Sequence, residues 1–243
     1  MNTIIDNGVS IDIIRTKRQK TASIKISDGS VLAYMPDELS DFKIKELLKK
    51  RKLWIKKKLE EEAKVVVSKP KEYVNGENFS YLGRNYRLKL IQSKNADIKL
   101  KGGYIEIYCP KNFNDKKIRD LLLSWYEKHA LLRLKEKTER YAKIIGVKPV
   151  SVKIKDYKSR WGSCSNKGEI IYNWRIIIAP HRVIDYVVVH ELCHILEHNH
   201  SKKYWRHVSN NFDNYIEAQT WLKYTFLDFP KESRFQFCSS MKI

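Results

Sequence analysis

The sequence predicts an α+β fold in which a small sheet lies over a helix that carries the candidate site. Upstream of that sheet, a strand-pair-plus-helix unit is predicted to occur twice. Three observations support this fold class. Residues 150–155 alternate apolar and polar side chains, as a half-buried strand does. An apolar segment at 187–189 leads into a helix with metal-binding spacing. A pattern that begins at residue 23 recurs at residue 97 without a gap.

The internal repeat has a fixed offset of 74 residues. Segment 23–31 resembles 97–105, and Tyr34 corresponds to Tyr108. Each copy predicts a strand, a glycine turn, a second strand ended by proline, and a helix led by aspartate. The gapless matches favour duplication, so both copies should fold alike, with the two tyrosines in equivalent places. Further matches at the same offset are Asp41 with Asp115, Lys43-Ile44 with Lys117-Ile118, and Leu47-Leu48 with Leu121-Leu122.

The two repeated helices are amphipathic. The first is predicted from Asp41 to about Lys64, and the second from near Asp115 to Ile145, with Gly146 as its stop. Between the copies, Pro70 and the pair Asn75-Gly76 indicate a linker. The predicted organisation is therefore an N-terminal unit over 1–70, a domain with the candidate site over 71–230, and a basic tail over 231–243.

After residue 150 the sequence favours strands. Segments 160–165 and 169–178 flank Asn166-Lys167-Gly168, which is typical of a hairpin turn. With 150–155 they form a predicted meander that leads into the site helix. Trp161 and Trp174 could be core residues or walls of a groove, and the core is favoured. Whether Asn173 and Arg175 reach such a groove is left open by the sequence.

The candidate site is the pentad His190-Glu191-Leu192-Cys193-His194, an H-E-x-x-H motif. Because helical residues four apart share a face, the two histidines can direct their imidazoles at one metal ion. The glutamate lies about 100° round the helix, near a metal-bound water rather than among the ligands. Zinc with two such histidines, one further ligand and one open position is a hydrolytic site. The metal lowers the pKa of water to about 7, and the glutamate takes the proton.

His200 is the predicted third metal ligand, six positions after His194. Asn199 suits a helix end. A helix that breaks near 197–199 could fold His200 back over the metal. Ser201 is then a good N-cap for a second helix, and a further helix is predicted over 214–224.

Other residues near the motif have weaker claims to a role. Glu217, 23 residues after His194, is a rival third ligand ranked well behind His200. Cys193 could bind the metal, but a small core residue is favoured. Tyr186 shares a helical face with His190, and packing is its favoured role. The remaining histidines of this region are interpreted as surface residues: His198 and His207.

Five ordered segments resemble the YgjP-like metallopeptidase family, which is similar to the SprT-like zinc proteases. They are Arg160-Trp-Gly-Ser-Cys-Ser165, Ile171-Tyr-Asn-Trp-Arg175, Ala179-Pro180, Tyr186-Val-Val-Val-His-Glu-Leu-Cys-His194 and Asn199-His-Ser-Lys-Lys-Tyr-Trp205. The resemblance implies a zincin-like core and peptidase activity with one zinc ion. It also implies that His200-Ser201, followed by Tyr204-Trp205, is the third-ligand element. In zincin proteases the edge strand of the sheet pairs with the backbone of an extended substrate.

Composition limits the remaining possibilities. The chain has 243 residues, 42% of them hydrophobic, and no apolar run of 18 that would predict a membrane helix. The N-terminus lacks the plan of a signal peptide. The four cysteines (Cys109, Cys164, Cys193 and Cys238) form no C-x-x-C pair, which favours free thiols in a reducing cytoplasm.

The formal charge of +20 indicates affinity for polyanions, with nucleic acid as the first candidate. A lysine-rich proteome is the alternative explanation, since no nucleic-acid-binding motif is visible. If nucleic acid binds, the basic helix with Lys49-Lys50-Arg51-Lys52 and Lys56-Lys57-Lys58 is the expected surface, and binding should weaken with salt. Otherwise these residues are the solvated face of an amphipathic helix.

The sequence therefore predicts a cytoplasmic zinc metallopeptidase with Glu191 as general base and His190, His194 and His200 as ligands. One alternative is a nucleic-acid-associated protein that acts on DNA-linked protein. Another is a non-catalytic scaffold with structural zinc, which a closed fourth coordination position would favour. The expected partner is a protein or peptide substrate, without a membrane. The physiological substrate and the oligomeric state are not determined by the sequence.

Overall fold

The computed structural model describes residues 2–6, 8–17, 21–27, 29–63, 71–157, 160–224 and 241–242. The chain forms two compact units, Met1–Ser68 with Arg234–Ile243, and Lys69–Ser233. Both units mix strands and helices. The predicted linker residue Pro70, and the predicted basic tail apart from 241–242, lie outside the described residues.

The first unit is a five-stranded sheet with one helix. Its strands are β1 (Asn2–Asp6), β2 (Val9–Thr16), β3 (Ser23–Ser27), β4 (Ser30–Pro36) and β12 (Met241–Lys242), in the order β1-β2-β4-β3-β12. Strands β2 and β4 are parallel, and the other pairs are antiparallel. Helix α1 (Asp41–Ala63) buries Ile44, Leu48 and Ile55 among the apolar residues of the sheet. The unit thus has a core of its own.

The second unit begins with a four-stranded sheet. Its strands are β5 (Asn78–Tyr81), β6 (Arg84–Gln92), β7 (Asp97–Lys101) and β8 (Tyr104–Cys109), in the order β5-β6-β8-β7. Helix α2 (Asp115–Ile145) follows. The Asn114 side chain accepts a hydrogen bond from the Lys117 backbone N–H, which caps the start of α2. Gly146, with φ of 78°, ends it in the left-handed conformation that glycine adopts without strain.

The two sheets share strand order and register. In the first unit Ser23 pairs with Tyr34, and in the second unit Asp97 pairs with Tyr108. The two tyrosines therefore occupy the same position in their hairpins. Each hairpin is preceded by a further antiparallel pair, β1-β2 or β5-β6, which lies upstream of the repeat predicted from residues 23 and 97.

A third sheet differs from its prediction. It contains β9 (Ser151–Lys155), β10 (Gly162–Cys164) and β11 (Glu169–Asn173), in the order β10-β11-β9. The predicted meander is wrong, because β9 pairs in parallel with β11 rather than antiparallel with its chain neighbour. The predicted strand over 169–178 is also wrong beyond Asn173. That side chain accepts the backbone N–H of Arg175 at 3.1 Å and caps a 3₁₀ helix, Trp174–Ile178.

Three more helices complete the second unit: α3 (His181–Leu196), α4 (Lys202–Asn211) and α5 (Tyr215–Tyr224). Helix α2 packs against α3 and the 3₁₀ helix. The Lys137 ammonium lies 2.6 Å from the Asp185 carboxylate of α3, and the Thr138 hydroxyl lies 3.0 Å from that of Tyr172. Helix α2 therefore fixes α3 from one side. Among the described residues, no helix combines the length and apolar character needed to cross a membrane.

The turn between β5 and β6 sets the start of α3. The backbone N–H groups of Leu82 and Gly83 donate to the carbonyls of Ile177 and Ile178, at 2.8 and 3.0 Å. Gly83 has φ of +76°, and a Cβ atom there would lie 2.7 Å from the Pro180 Cα. Only glycine allows this backbone approach. Since Pro180 precedes the first residue of α3, the turn determines where the site helix begins.

We expect Gly83→Ala to destabilise the protein more than Gly76→Ala. Both glycines have positive φ, but a Cβ at Gly76 would meet nothing within 4 Å. Gly76→Ala should cost about 1–2 kcal/mol for the left-handed backbone alone. Gly83→Ala should cost about 1–3 kcal/mol more, because the methyl group overpacks against Pro180. Urea unfolding followed by tryptophan fluorescence measures both; equal losses would contradict a role for the contact with Pro180.

Candidate metal centre

Helix α3 holds two of the candidate ligands on one face and buries most of its remaining surface. Residues 187–189 are buried, with exposures between 0% and 3%, so α3 cannot rotate without exposing them. The helix ends at Leu196, where Glu197 turns to extended backbone with φ of −150°. The chain then returns and brings His200 beside His190 and His194. One nitrogen from each imidazole lies within 4.8 Å of the others.

The hydrogen bonds of the imidazoles determine which nitrogen is available. His194 Nδ1 lies 3.2 Å from the Glu197 carbonyl oxygen. A carbonyl only accepts, so Nδ1 carries the proton and Nε2 keeps its lone pair. His190 Nδ1 lies 3.3 Å from the Tyr186 hydroxyl, which also accepts the Gln219 amide N–H at 2.9 Å. With Nδ1–H donating to Tyr186, His190 also keeps its Nε2 lone pair for a metal.

The spacing of the imidazoles fits a metal ion. The Nε2 atoms of His190 and His200 are 3.3 Å apart. Two nitrogen ligands of a tetrahedral zinc ion, each bound at about 2.0–2.1 Å, are about 3.3–3.4 Å apart. A cation between the two lone pairs would remove their mutual repulsion.

The electrostatics of the site keep the imidazoles neutral. Burial lowers the pKa of His190 to about 3, and the neighbouring His194 and His200 contribute to that shift. Burial also lowers the pKa of His194 and of His200. Neutral imidazole is the form that binds metal, so the three residues are ready to bind at neutral pH.

Aromatic residues of α4 and α5 hold the histidines in place. The Tyr204 ring stacks on His194 with centroids 4.6 Å apart, and its hydroxyl donates to the His190 carbonyl oxygen at 3.0 Å. The Trp205 ring stacks on His200, and Tyr215 stacks on the Trp205 ring. Ser201 caps α4 by accepting the Tyr204 backbone N–H, as the sequence predicts. The aromatic stack therefore orients His200, although that residue lies in a loop.

Glu191 is a buried carboxylate without a hydrogen-bonding partner. It is 4% exposed and makes no hydrogen bond or ion pair with any residue in the described part of the chain. Burial raises the pKa of Glu191 to about 8, and the charge of Arg160 offsets that shift only in part. A cation held by the three imidazoles would lower the pKa of Glu191 again. A buried, unpaired carboxylate is costly, which indicates a chemical role rather than a structural one.

The backbone of β10 lies against this carboxylate. A Cβ atom at Gly162 would lie 2.5 Å from Glu191 Oε1. Because only hydrogen occupies that space, Gly162 leaves room for the Glu191 side chain in its observed position. Strand β10 is at the edge of its sheet in the described structure.

Asn173 and Arg175, whose place relative to a groove the sequence does not determine, form hydrogen bonds with the segment between β9 and β10. The Asn173 amide donates to the carbonyls of Tyr157 and Arg160, at 3.0 and 3.1 Å. Arg175 forms two hydrogen bonds with the Asp156 carboxylate, both 2.9 Å. Trp161 and Trp174 are buried at 9% and 2% exposure, as the preferred core assignment predicts.

The remaining sequence candidates do not belong to the group of potential ligands. Glu217 is exposed and does not belong to the group of potential ligands. Cys193 is fully buried in the core, and His198 is exposed. Sequence reasoning missed the contact of Gln219, since nothing in the spacing connects it with α3. The predicted packing role of Tyr186 is confirmed, since the ring is 3% exposed and lies 5.8 Å from that of Phe212, and its hydroxyl contacts His190 in addition.

Two helical histidines and a third from the following loop, with a buried glutamate next to the first, define a candidate metal-dependent enzyme. The chain belongs to the YgjP-like metallopeptidase family, whose metallopeptidase domain matches residues 20–225. It is therefore a metallopeptidase by family, a class that acts on proteins or peptides and uses a catalytic metal. No curated protein matches the chain.

Two solved structures show partial similarity, and both are metallopeptidase zymogens. The zymogen of abylysin from Pyrococcus abyssi has 23% sequence identity and a TM-score of 0.35, over 38% of this chain and 95% of that one. The zymogen of jannalysin from Methanocaldococcus jannaschii has 20% identity and a TM-score of 0.34, over 37% of this chain and 92% of that one.

We expect Tyr186→Phe to weaken metal binding at this site by about 10- to 100-fold, the usual scale for loss of a group that orients a metal ligand. The change removes the acceptor of His190 Nδ1–H and leaves the ring in place. Competition with a chromophoric chelator measures the affinity. Tyr172→Phe is the matched control, because its hydroxyl contacts Thr138 and no histidine. Equal affinities in both variants would contradict the orienting role.

Proposed function

We propose that the protein is a zinc-dependent metallopeptidase that hydrolyses peptide bonds, with His190, His194 and His200 as the zinc ligands and Glu191 as general base. The observation that carries this proposal is the convergence of three imidazoles, with an unpaired buried carboxylate on the residue next to the first. Zinc bound by three protein ligands supplies a water of lowered pKa and polarises a carbonyl.

The role of Glu191 follows from its surroundings. The carboxylate has no hydrogen-bond donor among the described residues, so its oxygens are available to accept a proton. A carboxylate held in place and poorly solvated is a stronger base than one in water. Arg160 favours its ionised form. After accepting a proton from water, Glu191 can deliver it to the leaving amine.

An open site favours catalysis over a structural metal. Structural zinc sites are closed by four protein ligands, whereas catalytic sites keep one position for water or substrate. Within the described residues the ligand group has three members, and His200 is exposed. We therefore propose three protein ligands, with the fourth coordination position open to water or substrate on the exposed side near His200. The exposed position of Glu217 gives no support to the rival ligand set.

Strand β10 is the proposed docking edge for the substrate. It packs against α3 and contacts the Glu191 carboxylate through Gly162. An extended peptide laid along an edge strand forms main-chain hydrogen bonds that do not depend on its sequence. Such docking would place a scissile bond near Glu191. We propose a zincin-like core on this basis, with the sheet β10-β11-β9 over α3.

We propose that the domains run over 1–70 and 71–230, and that the first unit duplicates the beginning of the second. The shared strand order and hairpin register support duplication. We also propose a cytoplasmic location, because the described cysteines, Cys109, Cys164 and Cys193, are free thiols.

Substitution of the proposed ligands and of the proposed general base should have different effects on zinc content and on hydrolysis. His190→Ala, His194→Ala and His200→Ala should each lose most of the zinc, since each removes one of three ligands. Glu191→Gln should keep about one zinc per chain, because it does not bind the metal, yet hydrolysis of an unfolded protein substrate should fall by about 100-fold or more. Metal analysis and a peptidase assay measure the two effects.

Glu217→Ala is the control for the ligand set, and it should retain both zinc and activity. Zinc retained in His200→Ala but lost in Glu217→Ala would refute the proposed ligands. Full activity in Glu191→Gln would refute the proposed base, whatever the zinc content.

Gly162→Ala should also lower the rate of hydrolysis while leaving the zinc content unchanged. The new methyl group displaces the flexible end of Glu191, while the histidines keep their positions. We expect hydrolysis to fall by about 100-fold, the scale for a catalytic group misplaced by about 1 Å. In the Glu191→Gln background the same change should cost little more, since the base is already lost. Additive losses would show that Gly162 acts elsewhere.

A further inference from the structure

The outer surface of α1 carries a line of four lysines, Lys45, Lys49, Lys52 and Lys56. The spacings of four, three and four residues place them along one side of the helix. All four side chains are exposed, whereas the sheet-facing side of α1 holds buried Ile44, Leu48 and Ile55. We name these four residues the lysine row.

The corresponding positions of α2 have a different environment. At the repeat offset of 74 residues, Lys52 corresponds to Tyr126 and Lys56 to Ala130. Both of these are buried, and the Tyr126 ring lies 6.0 Å from that of Trp174 in the 3₁₀ helix. The helix side that is covered by protein in the second unit is therefore solvent-facing in the first, where it carries lysine.

Solubility alone does not require an all-lysine row. Like charges three or four residues apart destabilise a helix, and opposite charges stabilise it. Elsewhere α1 uses the mixed arrangement, with Lys50 2.8 Å from Glu46. In the lysine row only Lys56 has an acidic partner, Glu60 at 3.9 Å, among the described residues. A polyanion would relieve the repulsion that the row creates.

We propose that the lysine row binds the phosphate backbone of nucleic acid. A helix rises about 1.5 Å per residue, so the row spans about 16 Å. Duplex DNA carries one phosphate per about 3.4 Å along each strand, so this length spans about five phosphates of one strand. Lysines contact phosphates as point charges and do not read bases, so binding is independent of sequence.

An anionic membrane is the less favoured polyanion. Insertion into a membrane requires a continuous apolar face on the helix. Phe42 and Leu53 are exposed, at 78% and 82%, but Glu46 and Glu60 lie between and beside them on the same outer side. The binding surface therefore offers charge without a continuous apolar side.

The test compares two variants of the full-length protein with equal charge loss. The first replaces Lys45, Lys49, Lys52 and Lys56 by glutamine, and the control replaces four exposed lysines of the second unit by glutamine: Lys94, Lys99, Lys101 and Lys111. Glutamine preserves helix propensity, and circular dichroism checks the fold. The probe is a fluorescein-labelled DNA duplex of about 20 base pairs, followed by anisotropy.

The wild type should bind the duplex at about 50 mM salt, and its affinity should fall steeply as the salt concentration increases. The lysine-row variant should bind at least 10-fold more weakly at that salt concentration. The slope of log binding constant against log salt concentration should be smaller in magnitude by about 3 to 4. The control should change affinity by less than threefold, and a scrambled duplex should bind equally well.

Three results would overturn the proposal. The wild type could fail to bind the duplex at 50 mM salt, or both variants could lose affinity equally, which would indicate net charge alone. Binding of phosphatidylserine vesicles through the lysine row, with no binding of DNA, would assign the surface to a membrane. Zinc content and hydrolysis should be unchanged in both variants, so the outcome is independent of the peptidase assignment.

Discussion

The site depends on the burial of helix α3. Residues 187–189 are buried, and α3 packs against α2, α4, α5 and β10, so the remaining face of the helix has one orientation. That orientation sets His190 and His194 on a common face. It also places Glu191 in an interior where its charge is poorly solvated. Burial thus fixes the geometry, keeps the imidazoles neutral and makes the carboxylate a stronger base.

Such a site is built at a cost in stability. An unpaired carboxylate in the interior and three close imidazoles both oppose folding. The surrounding structure offsets this cost through the packing of α2 and the hydrogen bonds of Tyr186 and Tyr204 to His190. A bound cation would turn the same arrangement from a repulsive cluster into a stable one. A metal ion bound here would therefore couple its binding to the folding of this region.

The two units illustrate how one pattern can serve different surfaces. Both have four strands in the same order with a parallel central pair, followed by a long helix, and the first sheet has β12 as a fifth strand. In the second unit, the helix buries Tyr126, Ala130 and Leu134 beneath the site elements. In the first unit the helix buries Ile44, Leu48 and Ile55 against its sheet, and its lysine row is exposed. The local sequence pattern determines the strands and the helix of each unit. The residues on the side of the helix that faces away from its sheet determine what else the unit contacts.

The sequence by itself determined the elements whose signals are local. The H-E-x-x-H spacing, the Gly146 stop and the Ser201 cap each depend on a few neighbouring residues, so the helix ends followed directly. The predicted apolar stripe of α2 is wrong at Leu132, which is 60% exposed. The break after Leu196 and the return of His200 are also local, because only three residues separate them. Only the tertiary structure decided the parallel pairing of β9 with β11. It also decided the contact of Gln219 with Tyr186 and the fit of Gly162 against Glu191. The exclusion of Glu217 from the histidine cluster likewise required the structure. These contacts join residues far apart in the chain, and side-chain periodicity carries no record of which distant elements pack together.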